Sequence, residues 1–284
     1  MKDIKVETAF SNIDCVIQCL LDSERTTAFK KAINKIVKNN ESVIELGTGS
    51  GILSMFAAKD AKSVLAIEYD ETVYNFCKNN IQNSKHKSKI TVLLGDARTV
   101  TLKNKDQFDV VIMEMLTTAM VDEHQVTACN NLHEKQIVHS KTIFIPCIQI
   151  TTIQLTNFNF TFYNETIKNV LHLWNDFYDI NNIEKVSDKV TLSEIEFNKY
   201  QKSCFNKTLL IPITKSGIIN SILLQSTTLL TKEILLNDTK TINAPVIFPV
   251  NEFKVKKGDT IELIIKYIFG GGWENFEVII SKSE

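Results

Sequence analysis

The stretch Val43-Ile44-Glu45-Leu46-Gly47-Thr48-Gly49-Ser50-Gly51 decides the fold of the first half of this 284-residue chain. It begins with two β-branched residues, carries three glycines at alternate positions, and is followed by a helical pattern over residues 52–58. This order predicts a strand, a tight turn and a helix. Glycine accepts positive φ angles and lets a ligand approach the backbone, while the first turn of a helix offers unpaired N–H groups. The turn is therefore a candidate binding site.

Two acidic residues accompany this turn. Glu45 ends the first predicted strand, and Glu68 ends the next apolar run at residues 63–67. A carboxylate in the position of Glu68 can accept hydrogen bonds from the hydroxyls of a ribose. The pair of strand ends therefore predicts a cofactor that contains adenosine.

The spacing of the glycines indicates which cofactor this is. Dinucleotide-binding turns follow the pattern G-x-G-x-x-G, whereas here an acid precedes three glycines at alternate positions. Glu45 would repel a pyrophosphate but attract an ammonium or sulfonium group. S-adenosylmethionine carries both cations and no phosphate, so we predict that it is the cofactor. A nicotinamide or flavin nucleotide and a purely structural turn remain as alternatives.

Composition narrows the class of protein. Hydrophobic residues make up 44% of the chain and charged residues 23%, as in globular proteins. The formal net charge of −1 gives no electrostatic reason to expect nucleic acid or a membrane as a partner. No apolar run reaches the length of a membrane span and the start lacks a signal-peptide pattern, so we expect a cytoplasmic protein. The six cysteines form no CxxC pair, so we expect reduced thiols and no metal site.

Strands and helices alternate in the first 145 residues, which contain no proline. Predicted strands cover residues 42–46, 64–67, 90–94, 108–113 and 142–145. Predicted helices cover residues 14–22, 26–38, 51–60, 70–82 and 120–132. This alternation predicts an α/β domain with a parallel sheet. Ligands of such domains bind at the carboxyl ends of the strands, where Glu45, Glu68, Asp96 and Glu114 fall.

The second half has the pattern of an antiparallel β domain that begins after Pro146. Predicted strands cover residues 149–156, 209–213, 218–224, 260–269 and 276–281. Gly270-Gly271-Gly272 predicts a hairpin turn, and residues 251–258 predict another loop. The polar stretch at residues 164–206 is interpreted as an insertion that packs on a partner.

Three further acids are candidates for binding or catalysis. Asp96 could accept a hydrogen bond from the exocyclic amine of adenine, with Ala97 leaving room for the ring, or it could be an ordinary acid after a strand. Glu114 and Glu123 stand nine residues apart. Joined by a loop, they could hold one guanidinium, which offers several donors in a rigid plane. The alternative is that Glu123 belongs to a polar helix start, where acids complement the helix dipole.

Several segments together resemble the protein arginine N-methyltransferase family. The segments with the stronger resemblance are residues 20–29, 45–58, 66–68, 95–97 and 144–146, with the pair Glu114 and Glu123. The segments with the weaker resemblance are residues 173–178, similar to the start of a dimerisation arm, and residues 255–261, similar to a late barrel strand. The resemblance implies a Rossmann-like class I methyltransferase domain at residues 1–146. An antiparallel β-barrel-like domain for substrate binding and dimerisation would follow at residues 147–284, with an insertion at about 164–206.

The resemblance also implies roles for individual residues. Glu114 and Glu123 would be catalytic and would hold the guanidinium of a protein, a peptide or a small molecule. Arg25 would pair with the methionine carboxylate of S-adenosylmethionine, and a homodimer would form. The implied cofactor-binding residues are Arg25, Glu45, Gly47, Thr48, Gly49, Gly51, Glu68, Asp96 and Ala97.

The sequence departs from the family where the substrate would bind. The family's barrel carries a Thr-His-Trp loop whose histidine pairs with the acid that Asp22 resembles, but residues 241–248 contain neither histidine nor tryptophan. The resemblance still implies methyl transfer to a guanidino nitrogen. A methyltransferase with another nitrogen or oxygen acceptor and a cofactor-binding module without turnover are the alternatives.

Overall fold

The computed structural model describes residues 12–102, 107–174 and 178–282. The helices of the first part are α1 (Ile13–Leu21), α2 (Ser23–Ile36), α3 (Ile52–Ala58), α4 (Glu71–Gln82) and α5 (Gln125–Glu134). Its strands are β1 (Ser42–Leu46), β2 (Ser63–Glu68), β3 (Ile90–Leu94), β4 (Phe108–Met113) and β5 (Val138–Ile145). These strands form one parallel sheet in the order β3-β2-β1-β4-β5. The predicted Rossmann-like architecture is confirmed.

The loop between β4 and α5 differs most from the prediction for this part. The predicted helix at residues 120–132 is displaced, because α5 begins at Gln125. Ala119 and Met120 have φ angles of 57° and 56°, in the left-handed region that a right-handed helix cannot contain. A short 3₁₀ turn at Thr118–Met120 takes the place of the first helical turn. Glu123 therefore lies in a loop, as the interpretation of a glutamate pair requires.

Antiparallel strands form the second part. They are β6 (Ile148–Asn157), β7 (Thr161–Phe162), β8 (Glu165–Thr166), β9 (Leu171–His172), β10 (Glu184–Lys185), β11 (Val190–Glu196), β12 (Cys204–Pro212), β13 (Gly217–Thr231), β14 (Ile234–Leu236), β15 (Val246–Val255), β16 (Thr260–Ile268) and β17 (Glu277–Lys282). A seven-stranded sheet has β6, β13 and β15 side by side, and β12, β16 and β17 form a second sheet. This confirms the predicted antiparallel, barrel-like fold after Pro146.

Strands occupy part of the predicted loop at residues 251–258 and part of the predicted insertion at residues 164–206. The loop predicted at residues 251–258 is wrong up to Val255, because β15 continues to that residue and pairs with β13. Its exposed residues, including Glu252 and Lys254, face solvent from a half-buried strand, so their polarity does not mark a loop. Within the predicted insertion, β11 pairs with β6 and buries Leu192 and Ile195. Of the arm-like residues 173–178, residues 175–177 lie outside the described part.

One hydrophobic cluster joins the two parts, with members from Phe29 in α2 to Phe276 just before β17. The loop between β4 and α5 contributes Leu116 and Met120 to this cluster. This shared cluster packs the carboxyl-end loop of the parallel sheet against the barrel. Among the described residues, no helix is both long enough and apolar enough to cross a membrane.

Candidate active site

A cavity of about 350 Å³ lies between the carboxyl ends of the parallel strands and the barrel. Ten predicted site residues line it, namely Arg25, Glu45, Gly47, Thr48, Gly49, Glu68, Asp96, Ala97, Glu114 and Glu123. The barrel residues that line it are His172, Trp174, Thr241, Asn243 and Ala244. The residues singled out from the sequence are thus brought to one cavity, with the exception of Gly51.

The glycine turn has the backbone geometry that its sequence predicts. Gly47, Gly49 and Gly51 have φ angles of 69°, 54° and 80°. Residues other than glycine rarely adopt such positive angles. Gly51 caps α3 and does not line the cavity. A Cβ atom on Gly51 would lie 3.0 Å from Cys77 Sγ and 3.0 Å from Ile81 Cδ1. Its place in the structure is therefore in the packing of α3 on α4, whereas Gly47 and Gly49 line the cavity.

Glu45 lies beneath the turn and is almost fully buried. Its Oε2 atom accepts a hydrogen bond of 2.8 Å from Thr48 Oγ1 and another from Ser54 Oγ. Burial raises the pKa of Glu45 to about 7, even though these hydroxyls favour the ionised form. A carboxyl group with this pKa is ready to ionise when a cation arrives beside it.

Backbone N–H groups fix the carboxylate of Glu68 at the end of β2. Its Oε2 atom accepts from Gly49 N at 3.0 Å, and its Oε1 atom accepts from Tyr69 N at 2.8 Å and Asp70 N at 3.1 Å. A carboxylate has about four acceptor positions, so one remains after these three bonds. Burial raises the pKa of Glu68 despite these donors. The hydrogen bond from Gly49 couples the position of this carboxylate directly to the glycine turn.

Asp96 is held by an arginine that follows it closely in the chain. Arg98 donates from Nε to Asp96 Oδ1 at 2.9 Å and from Nη2 to Oδ2 at 2.6 Å. Partial burial acts to raise the pKa of Asp96, but the hydrogen bonds from Arg98 hold it below its usual value. The Arg98 guanidinium also lies 5.6 Å from the centroid of the Tyr69 ring. This end of the cavity thus combines a carboxylate with a flat aromatic surface.

Arg25 and Glu114 form a buried ion pair at the opposite end. Arg25 Nε donates to Glu114 Oε2 at 2.8 Å, Nη2 donates to the same oxygen, and Nη1 donates to the carbonyl of Cys19 at 3.0 Å. The two residues were assigned to different ligands from the sequence, but the structure joins them to each other. Glu114 Oε1 accepts no hydrogen bond from the described residues. Three of the five N–H groups of Arg25 take part in these bonds, which leaves two for a ligand.

Glu123 has the opposite environment to Glu114. Among the described residues, no cationic side chain forms an ion pair with Glu123. Burial, reinforced by repulsion from Glu114, raises the pKa of Glu123 to about 8. The two glutamates are therefore unequal: Glu114 has a cationic partner within the protein, whereas a cationic ligand beside Glu123 would favour its ionised form.

The barrel fixes the backbone of the loop that carries Glu123. Thr118 Oγ1 donates to the carbonyl of Ala244 at 2.6 Å, and Ser226 Oγ accepts from Ala119 N at 3.0 Å. Gln149 Nε2 donates to the carbonyl of Thr117 at 3.0 Å. Sequence reasoning missed these partners. Gln149 and Ser226 are both buried, but other polar residues of β6 and β13 are buried too, so no sequence signal distinguishes these two.

The glycine hairpin also contacts this loop. Gly270 N donates to the carbonyl of Met120 at 3.0 Å, and a Cβ atom on Gly270 would lie 2.3 Å from His124 Nδ1. The predicted turn between β16 and β17 is confirmed. In addition, its lack of side chains lets the hairpin lie directly against the loop between β4 and α5.

Two threonines bind the acid that lacks its predicted histidine partner. Asp22 Oδ2 accepts from Thr239 Oγ1 at 2.6 Å and from Thr241 Oγ1 at 2.9 Å. Its Oδ1 atom accepts from Arg25 N at 3.1 Å and caps α2. The barrel loop therefore still meets α2 at this acid, with hydroxyl groups in place of an imidazole.

Residues 12–159 of the chain, just over half of it, match the family model described as the TRM5/TYW2 methyltransferase domain. The chain belongs to this methyltransferase family. Membership confirms the predicted class of enzyme, an S-adenosylmethionine-dependent methyltransferase, and with it the predicted cofactor.

Full-length relatives show how far this similarity reaches. The chain is 35% identical over 91% of its length to an uncharacterized protein of Methanocaldococcus jannaschii, 93% of which is covered. It is 24% identical to protein arginine N-methyltransferase 1 of Saccharomyces cerevisiae, over 72% of this chain and 63% of that protein. The sequence comparison therefore confirms the predicted resemblance of this methyltransferase to protein arginine N-methyltransferases.

A solved structure confirms the fold. The chain aligns with the Trypanosoma brucei PRMT1 enzyme–prozyme heterotetrameric complex with AdoHcy at a TM-score of 0.73 and 15% identity. The alignment covers 96% of this methyltransferase and 98% of that chain. The Rossmann-like domain and the barrel thus have the same relative arrangement in both proteins.

Two cysteines that sequence reasoning set aside also line the cavity. Cys15 and Cys19 lie one turn apart on α1. A hydrogen bond from Cys19 lowers the pKa of Cys15 to about 7, against the effect of burial. Because the thiolate is the reactive form, Cys15 combines reactivity with a place at the cofactor cavity.

We expect iodoacetamide at pH 7 to alkylate Cys15 faster than Cys19, and S-adenosylhomocysteine to slow this reaction by about tenfold or more. Peptide mass spectrometry over a time course measures both rates. Cys204 is the control, because it is exposed and does not line the cavity. Equal protection of Cys15 and Cys204, or none at Cys15, would show that the cofactor does not lie against α1.

Proposed function

We propose that this methyltransferase transfers the methyl group of S-adenosylmethionine to a guanidino nitrogen of a protein, a peptide or a small molecule. The observation that carries the proposal is the acidic end of the cavity, where Glu114, Asp122 and Glu123 lie together. Of the described residues that line the cavity, only Arg25 and Arg98 carry a permanent positive charge, and each is paired with a carboxylate. Glu123 therefore has no cationic partner among these residues, and a cationic acceptor would favour its ionised form.

The reaction we propose is a direct displacement at carbon. The acceptor nitrogen attacks the methyl carbon of the sulfonium, a C–N bond forms, the C–S bond breaks, and its electron pair remains on sulfur. Glu123 and the free Oε1 atom of Glu114 would hold the N–H groups of the guanidinium. Alignment of nitrogen, carbon and sulfur supplies much of the acceleration in such reactions, and fixed charges supply most of the remainder.

The cofactor would lie along the carboxyl ends of β1, β2 and β3. Glu68 would accept from a ribose hydroxyl at its remaining acceptor position, and Asp96 and Ala97 would face adenine beside the ring of Tyr69. Glu45, which accepts a hydrogen bond from Thr48 beneath the turn, would attract the cationic part of the cofactor. The two N–H groups that Arg25 keeps free would meet the methionine carboxylate, so that one guanidinium would connect the cofactor to Glu114.

We expect S-adenosylhomocysteine to bind the purified protein, and Glu68→Gln to weaken binding by roughly 10–100-fold, because hydrogen bonds to a charged group contribute about 1.5–3 kcal/mol. Isothermal titration calorimetry measures the affinity. Glu71→Gln is the matched control, since Glu71 is exposed at the start of α4 and does not line the cavity. Tight binding of NADH without binding of S-adenosylhomocysteine would contradict the cofactor site.

A transfer experiment tests the acceptor. The protein is incubated with S-adenosylmethionine carrying a radiolabelled methyl group and with an extract of the host cell, which is then separated into protein and small-molecule fractions. Label recovered as methylated guanidino groups supports the proposal. Label recovered on a carboxyl, a hydroxyl or a simple amine would show that this group, and not a guanidino nitrogen, is the acceptor. Cofactor binding without any transfer would indicate a module without turnover.

A further inference from the structure

The barrel wall of the cavity carries a second group of polar residues, formed by His172, Asp122 and Trp273. His172 Nε2 lies 3.6 Å from Asp122 Oδ2, and Trp273 Nε1 donates to the same oxygen at 2.7 Å. The rings of His172 and Trp273 are 5.8 Å apart and nearly perpendicular, at 71°. His172 and Asp122 both line the cavity. The roles assigned above use Asp122 only as part of the acidic end of the cavity, and they leave His172 and Trp273 without a role.

The position of His172 is fixed from several sides. It ends β9, opposite Val246 of β15, and the next residue, Leu173, donates from its backbone N to the carbonyl of Pro245 at 2.7 Å. Trp273 is itself packed against Phe276, with ring centroids 5.0 Å apart. The imidazole therefore faces the cavity from a sheet edge and not from a mobile loop. Asp122 precedes Glu123 in the chain, so the group adjoins the proposed guanidinium site.

We propose that His172 accepts the proton which the acceptor nitrogen loses during methyl transfer, with Asp122 orienting the ring. This inference rests on the proposed function. A guanidinium remains protonated near neutral pH, so transfer of a methyl cation to it must release one proton. In the step, the N–H bond of the acceptor breaks, its electron pair becomes available for the new C–N bond, and the proton passes to the neutral imidazole. The imidazolium formed is stabilised by the Asp122 carboxylate.

The other candidates on this side of the cavity are less suited to the task. Glu114 is already paired with Arg25, and Glu123 is needed as the anion that holds the substrate. His124 is the other histidine among the described residues that line the cavity. It lies against Gly270, and both burial and the charge of Arg98 lower its pKa while Asp96 opposes them. His124 thus belongs to the Asp96 end, where adenine would lie.

His172→Gln tests the proposal, because glutamine can replace the polar contact but cannot accept a proton. We expect kcat to fall on the order of 10²-fold, with the acceptor KM and the affinity for S-adenosylhomocysteine nearly unchanged. The acidic limb of the kcat–pH profile should disappear, and added imidazole should restore part of the activity of His172→Ala. Asp122→Asn should lower kcat by a smaller factor.

His139→Gln is the matched control. His139 Nε2 lies 3.7 Å from Asp109 Oδ1, a pair of the same kind outside the cavity, and its replacement should leave kcat unchanged. Retention of kcat and of the pH profile in His172→Gln overturns this inference alone. So does a rise in acceptor KM alone, or an equal loss of the acidic limb in His124→Gln. Failure of the wild type to methylate any guanidino group overturns the proposed function instead, which distinguishes the two results.

Discussion

Replacing Glu123 with glutamine is expected to lower kcat/KM for the methyl acceptor by about 10²–10³-fold, while the affinity for S-adenosylhomocysteine stays nearly unchanged. The substitution removes one negative charge and almost no volume. Because Arg25 already compensates Glu114, Glu123 is the carboxylate whose charge a cationic acceptor can use. Initial rates with a guanidino substrate and calorimetry with S-adenosylhomocysteine measure the two quantities.

Glu194→Gln provides the control for this substitution. Glu194 is exposed on β11 and does not line the cavity, so the same chemical change there should affect neither rate nor affinity. Full activity of Glu123→Gln would remove the basis for a cationic acceptor. A parallel loss of activity and of cofactor affinity would place Glu123 at the cofactor and not at the acceptor.

The pH dependence of the same variant gives a separate expectation. Burial raises the pKa of Glu123 from 4.5 to about 8, and a cationic acceptor needs the ionised form. We expect kcat/KM to rise with pH up to about 8 in the wild type, and Glu123→Gln to lose the part of this rise that Glu123 causes while keeping any part that His172 causes. Because the raised pKa belongs to the folded state, Glu123 stabilises the fold less as pH increases from 4.5 to 8. Thermal unfolding should therefore show Glu123→Gln gaining stability relative to the wild type over that interval.

The sequence was most informative about features that depend on residues close to one another in the chain. The bounds of β1, β3 and β4 could be read from apolar runs, and the turn after β1 from its glycines. The convergence of Glu45, Glu68, Asp96 and Glu114 was predictable for a simple geometric reason. Each follows or ends a parallel strand, and the carboxyl ends of such strands meet at one edge of the sheet.

Contacts between distant residues could not be predicted in this way. Arg25 and Glu114 are 89 residues apart, and the sequence predicted only the cofactor carboxylate as a partner of that arginine. Asp22 and Thr239 are 217 residues apart, and their hydrogen bond depends on how the barrel packs against α2. The sequence gives the chemical type of each side chain. The partner of that side chain depends on how whole helices and strands pack against one another.

Arg25→Gln is expected to destabilise the protein by about 3–5 kcal/mol, because it leaves the carboxylate of Glu114 buried without a compensating charge. The double variant Arg25→Gln/Glu114→Gln should recover most of this loss, since two neutral amides can bond to each other. Chemical denaturation of the wild type, both single variants and the double variant measures the coupling. Lys35→Gln is the control, because the Lys35–Glu233 pair is exposed and its loss should not be detectable.

Measurements of activity and cofactor affinity distinguish the contribution of this ion pair to stability from its contribution to ligand binding. The double variant restores stability but has no guanidinium beside the cofactor and no Glu114 carboxylate beside the acceptor, so it should remain inactive and bind S-adenosylhomocysteine weakly. If it bound S-adenosylhomocysteine as well as the wild type does, Arg25 would serve only to hold Glu114, and the cofactor carboxylate would have another partner. If the double variant were as unstable as Arg25→Gln, the loss would come from packing of α2 and not from an uncompensated charge.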